Sequence, residues 1–193
     1  MDKITNVLMV GVGGQGIIMA SDILSLAAMH CGFDVKKSEI HGMSQRGGSV
    51  FSHIRFGKKV WSPVISRGEA DILLSLEEME TLRWISCANA DSTVLTVQEQ
   101  IKPAMVEEYP AGMDAELKAL CRNLFLVDPA VMARQAGDKK YINVALLGIV
   151  ADLIPVKETA WEQAIKSKVP AGTFEANWKA FQSGKLYYRE ITT

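Results

Sequence analysis

Ile4-Thr5-Asn6-Val7-Leu8-Met9-Val10 runs straight into Gly11-Val12-Gly13-Gly14-Gln15-Gly16, and the architecture can be worked out from that junction. A short apolar burst closed by glycines is how a buried strand enters a tight turn. Ile17 to His30 then places Ile17, Ala20, Leu24, Ala27 and Ala28 at helical spacing, and Gly32 ends the helix. Phe33 to Lys37 is a second strand. Strand, glycine turn, helix and strand make a βαβ unit, which implies parallel strands and a right-handed crossover. The uncharged run from Ile4 to Ser21 is tested as a membrane span and fails, because Gly11, Gly13, Gly14, Gln15 and Gly16 interrupt it. Asp2 and the same broken apolar core argue against a secretory leader.

Outward from this unit, Ser49 to Phe56 alternates, with Val50, Ile54 and Phe56 on one face and His53 and Arg55 on the other. Gly57-Lys58 then predicts a hairpin turn into the run Lys59 to Ile65, so the sheet is expected to be mixed. Strands are expected at Ala70 to Leu76, Thr93 to Val97 and Leu124 to Val127, and helices at Glu77 to Ile85 and Met113 to Arg122. Asp128 before Pro129 is placed to cap the helix that follows. From about Tyr141 the chain is helical to its end, broken near Pro155 and Pro170. The expected fold is α/β: a three-layer α/β/α Rossmann-like domain over residues 1–193, with a mixed, mostly parallel sheet, an inserted hairpin and a C-terminal helical segment.

Composition narrows the function. A net charge of -1 from 21 basic and 22 acidic residues advertises no nucleic-acid surface. Cys31, Cys87 and Cys121 are far apart and form no C-x-x-C pair, so no iron–sulfur cluster or structural zinc site is expected from this chain alone. Unpaired cysteines without a leader suggest reduced thiols in the cytoplasm, most simply as small buried hydrophobes. No Ser-His-Asp set, H-E-x-x-H or P-loop lysine is present.

Two segments carry candidate chemistry. Gly11, Gly13, Gly14, Gln15 and Gly16 fit G-x-G-x-x-G between a strand and a helix, where bare N–H groups can meet an anion. A dinucleotide site also wants an acid at the end of the second strand; Asp34 comes too early and Glu39 lies beyond two lysines. Glycines that simply allow close helix–strand packing explain the turn equally well. The second segment, Ser38-Glu39-Ile40-His41-Gly42-Met43-Ser44-Gln45-Arg46-Gly47-Gly48-Ser49, gathers an acid, a histidine, a guanidinium, an amide and hydroxyls among glycines, as recognition loops do. Glu39, His41 and Arg46 are its candidate catalytic groups, although no spacing fixes a partner for His41. Arg46 suits a phosphate or carboxylate, or pairs with Glu39 within the chain. His30 at a helix end has a structural reading, Gly137-Asp138-Lys139 is a turn, and Met9, Met19, Met29 and Met43 are core or interface filler.

Together the two segments closely resemble the gamma-type subunits of the 2-oxoacid:ferredoxin oxidoreductases, and within them the smaller, beta subunits of the indolepyruvate type. The resemblance continues through Arg55-Phe56-Gly57, Ser62-Pro63-Val64-Ile65 and Gly68-Glu69-Ala70-Asp71, over roughly the first 150 residues. It implies a subunit of a hetero-oligomer, inactive alone, whose larger partner binds thiamine diphosphate and iron–sulfur clusters. The complex would oxidatively decarboxylate aryl pyruvates to arylacetyl-CoA, with coenzyme A as cosubstrate and ferredoxin reached through the partner. Gly13, Gly14, Gln15, Ser38, Glu39, His41, Ser44, Gln45 and Arg46 would then face the partner or coenzyme A. No cofactor or metal is expected on this chain alone, and no nucleic acid or membrane as partner. A gamma subunit of a pyruvate or ketoisovalerate enzyme, a self-sufficient nicotinamide-dependent oxidoreductase and a scaffold without a ligand are the alternative expectations.

Overall fold

A computed structural model describes residues 3–41, 48–103 and 107–192. Strands β1 (Thr5–Val12), β2 (Asp34–His41), β3 (Ser49–Gly57), β4 (Ala70–Ser75), β5 (Ala88–Val97) and β6 (Asn123–Val127) form one sheet in the order β2-β3-β1-β4-β5-β6. Helix α1 (Ile17–His30) follows β1, and α2 (Glu78–Trp84) and α3 (Met113–Leu120) follow β4 and β5. Helices α4 (Pro129–Ala136), α5 (Ile142–Ala151), α6 (Glu158–Lys168) and α7 (Phe174–Thr192) complete the chain. The α/β class and the mixed, mostly parallel sheet are as expected: β1, β4, β5 and β6 pair in parallel, while β3 is antiparallel to both neighbours.

The inserted hairpin is present, but it is built differently from the sequence expectation. Lys59 to Ile65 forms no strand and lies as a strap across one sheet face. The hairpin is instead β2 with β3, so β3 separates β1 from β2, which still runs in the same direction as β1. The physical reason is that Ser38 to His41 extend β2 by pairing with residues 50–53, which removes them from the expected loop. Gly11 and Val12 likewise belong to β1 rather than the turn, because they pair with Val50 and Ser49.

The period-2 pattern divides the core. Val7, Met9, Val50, Ile54 and Phe56 face a thick layer of helices α1 and α4 to α7, whereas Leu8, Val10, Leu73 and Val94 face a thinner layer holding Ile65, Cys87 and Trp84. The helical segment from 142 onward is part of this core, because α5 is buried along almost its whole length. Asp128 caps α4 as predicted, accepting the N–H groups of Ala130 and Val131 at 2.7 and 3.1 Å.

Candidate functional site

The carboxyl ends of the parallel strands meet at the glycine turn, where loops and helix N-termini converge in open α/β sheets. Gly14 and Gly16 have φ of 100° and 79°, the left-handed region that only glycine enters freely. Gly16 starts α1 with no side-chain cap and no acid in the first turn. A Cβ at Gly16 would stand 2.3 Å from Asn143 Nδ2, which donates to the Gly16 carbonyl at 3.2 Å. Gln15 is occupied internally: its Oε1 accepts the Val12 N–H at 2.9 Å and its Nε2 donates to the Leu76 carbonyl at 2.7 Å. Its amide therefore bolts the turn to the end of β4.

A cavity of about 520 Å³ opens beside the turn. Gly14, Gln15 and Gly16 form one wall, Met19, Leu76, Val97 and Ile142 supply apolar surface, and Glu99, Asp138, Lys139 and Lys140 bring charge. Lys139 pairs with Glu99 at 2.8 Å and Lys140 with Asp138 at 3.3 Å. The Lys140 backbone N–H, donated to Asp138, holds that carboxyl below its usual range. The volume suits a small-molecule ligand, and the charged groups of the lining pair with one another.

The foot of the polar segment reaches the same edge. Gly13 N–H donates to the Gly48 carbonyl at 2.9 Å, and Ser49 Oγ donates to Glu80 Oε2 at 2.5 Å. Ser38 and Glu39 lie in β2, with Glu39 paired to Lys37 at 2.7 Å, and His41 is the last β2 residue. Gly42, Met43, Ser44, Gln45, Arg46 and Gly47 lie outside the described residues, so the Glu39–Arg46 pairing does too. Asp34 sits at the opposite end of β2, far from where a ribose-binding acid belongs. There it bonds Lys36 and the Val60 N–H, which lower its pKa to about 2.

Sequence reading missed a group of buried carboxylates at the start of α2. Glu77, Glu78 and Glu80 are all at most 4% exposed. Glu77 caps α2 through the Glu80 N–H at 2.8 Å and also accepts the Tyr109 hydroxyl at 2.5 Å. Burial, reinforced by that carboxylate, pushes the Tyr109 phenol well above its usual range. Glu80 is shared between Ser49 and Arg83 Nε at 3.0 Å. The signal available was the run Glu77-Glu78-Met79-Glu80 directly after a buried strand. Asn143 was missed as well, although it is the lone amide in the apolar helix α5.

The remaining candidates resolve simply. His53 is buried on the thin-layer face, its Nδ1 accepting the Ile65 N–H at 3.1 Å, and burial lowers its pKa. His30 is exposed at the end of α1. Met9 is core, Met19 lines the cavity and Met29 is 58% exposed, while Met43 is outside the described residues. Burial raises the Cys87 and Cys121 thiols. Among the described residues no cluster of His, Cys, Asp or Glu could hold a metal, and no helix is long and apolar enough to cross a membrane.

An open mixed sheet with a glycine turn, an uncapped helix and a cavity at its carboxyl edge defines a Rossmann-like α/β module. The chain belongs to the pyruvate ferredoxin/flavodoxin oxidoreductase family, which it matches over residues 6–187. It is 35% identical to the indolepyruvate oxidoreductase subunit IorB of Thermococcus kodakarensis, across 96% of both chains. The fold matches the gamma subunit of a keto/oxoacid ferredoxin oxidoreductase from Geobacter sulfurreducens with a TM-score of 0.72 at 24% identity, covering 96% of this chain and 99% of that one. It also matches the 2-oxoglutarate:ferredoxin oxidoreductase of Magnetococcus marinus, solved with 2-oxoglutarate, coenzyme A and succinyl-CoA bound. There the TM-score is 0.74 at 16% identity, over 98% of this chain and 32% of that one.

Proposed function

We propose that this chain, as one gamma-type domain over residues 1–193, is the smaller subunit of an indolepyruvate-type 2-oxoacid:ferredoxin oxidoreductase in the cytoplasm. The observation that carries the reading is the end-to-end similarity to an indolepyruvate oxidoreductase subunit. In this reading the larger subunit supplies thiamine diphosphate and iron–sulfur clusters and passes electrons to ferredoxin. The complex converts aryl pyruvates to arylacetyl-CoA, and this chain helps admit coenzyme A. Support for that last role comes from the uncapped start of α1 beside the cavity, since the N–H groups of a helix N-terminus favour a phosphate-bearing ligand. Gly13, Gly14 and Gln15 would line the approach, with Ser38, Glu39, His41, Ser44, Gln45 and Arg46 beside it.

The test is reconstitution of this chain with its larger subunit. Coenzyme A-dependent ferredoxin reduction by an aryl pyruvate is expected only from the mixture. Arg46→Ala in the complex should lose a charge-assisted contact of about 1.5–3 kcal/mol, raising the KM for coenzyme A about tenfold or more. Full turnover by this chain alone, or by the larger subunit alone, would overturn the reading.

A further inference from the structure

Asn143 carries the one polar side chain of α5, in the first turn of that helix, and it is 4% exposed. A buried amide is costly unless its ends are bonded, and here they are bonded to different helices. Its Oδ1 accepts the Val144 N–H at 2.9 Å, a donor of the first turn of α5, where helices leave such groups without an internal partner. Its Nδ2 donates to the Gly16 carbonyl at 3.2 Å, from the far end of the chain. One side chain therefore ties the start of α5 to the start of α1.

The tie adds placement where satisfaction is already provided. The Gly16 carbonyl also accepts the Ala20 N–H at 3.0 Å, the opening bond of α1, so it is not left bare without Asn143. The approach is close enough to demand glycine: a Cβ at Gly16 would stand 2.3 Å from Nδ2 and 3.2 Å from Cγ. At the preceding residue, Gln15 bolts the same turn to Val12 and Leu76. The turn is thus held between the end of β4 and the start of α5, and α5 is a fixed reference because it is buried along almost its whole length. Gly14, Gln15, Gly16 and Asn143 all line the one cavity, so the distance set by the amide is also a dimension of that cavity.

We propose that Asn143 is a positioning residue of this site, setting the glycine turn and the start of α1 against α5 in the arrangement that receives coenzyme A. The proposal rests on the subunit reading above, and the experiment keeps the two apart. The larger subunit is reconstituted with wild-type chain, Asn143→Leu and Asn143→Asp. Leucine fills similar space and removes both bonds, whereas aspartate keeps the Val144 cap but sets a carboxylate oxygen against the Gly16 carbonyl. In both variants the KM for coenzyme A should rise about tenfold or more, with kcat and the KM for the aryl pyruvate within about twofold of wild type. A side chain that only holds the fold would lower Tm and leave those constants in place in the molecules that stay folded. On the wild-type complex, hydrogen exchange read by mass spectrometry should show coenzyme A slowing exchange in the peptides covering residues 13–20 and 139–146 together, because the amide couples them. A folded variant with the wild-type KM for coenzyme A overturns the positioning role and leaves the subunit reading intact. So does a wild-type complex in which coenzyme A protects the turn without the start of α5, or protects neither. A wild-type mixture with no coenzyme A-dependent ferredoxin reduction overturns both.

Discussion

Replacing Gly184 by alanine puts two physical effects in direct opposition. In a solvent-facing helix the change would stabilise, because alanine is preferred over glycine by about 1 kcal/mol in a helix interior. Gly184, however, lies in α7 where that helix crosses α5, and a Cβ there would stand 1.8 Å from the Ala145 carbonyl oxygen and 2.7 Å from its carbon. Gly148 on α5 makes the reciprocal approach, its Cβ falling 2.0 Å from the Phe181 carbonyl oxygen. Those neighbours are backbone, so no rotamer change relieves the overlap and the helices must move apart. Overpacking costs about 1–3 kcal/mol, and with backbone as the obstacle the upper end applies, leaving a net loss of about 2 kcal/mol after the propensity gain. For a chain of this length that is a fall in Tm of about 4–8 °C. Thermal unfolding followed by far-UV circular dichroism measures it, with the exposed Gln182→Ala on the same helix as a near-neutral reference. The Gly148→Ala, Gly184→Ala double variant should lose less than the sum of the singles, because separating the helices once accommodates both methyls. A Tm that stays level or rises in Gly184→Ala would refute the close crossing.

The same logic applies to two side chains that the structure assigns to the framework. Gln15→Glu keeps an acceptor for the Val12 N–H but sets a carboxylate oxygen against the Leu76 carbonyl. It should cost about 1–3 kcal/mol in urea unfolding, and an unchanged midpoint would free Gln15 for a role outside the framework. His53 predicts a pH dependence: burial holds its folded pKa below the ordinary 6.5, so both states are neutral well above that value. As pH falls through 6.5 the unfolded chain takes up a proton that the folded chain resists, and stability is lost. The advantage of wild type over His53→Gln should therefore shrink between about pH 7.5 and about pH 5.5, and parallel pH profiles would contradict the assignment.

What could be read from the sequence about the site follows the same division as the fold. The glycine turn was legible because G-x-G-x-x-G, the apolar run before it and the helical stripe after it are adjacent in the chain. The cavity beside it was not, since Leu76, Val97 and the stretch from Asp138 to Asn143 come from distant parts of the chain. The burial of Glu77 and Glu80 was not legible either, because the groups that satisfy them, Tyr109 and Ser49, lie about thirty residues away on either side.

The sequence by itself determined β1, its turn and α1, the Asp128 cap and the in–out pattern of β3, because each depends on the preferences of neighbouring residues. Tertiary structure alone decided where β3 inserts, since alternation says which face a residue takes and not which strand lies beside it. It also decided that Lys59 to Ile65 is a strap: that run had strand-like composition, but its N–H groups go to Asp34 and His53 rather than to another strand. The contact of Asn143 with Gly16 and of Gly184 with Ala145 belong to the same class. Such partners are chosen when helices and sheet close on one another, and no local rule in the chain encodes the distance at which they meet.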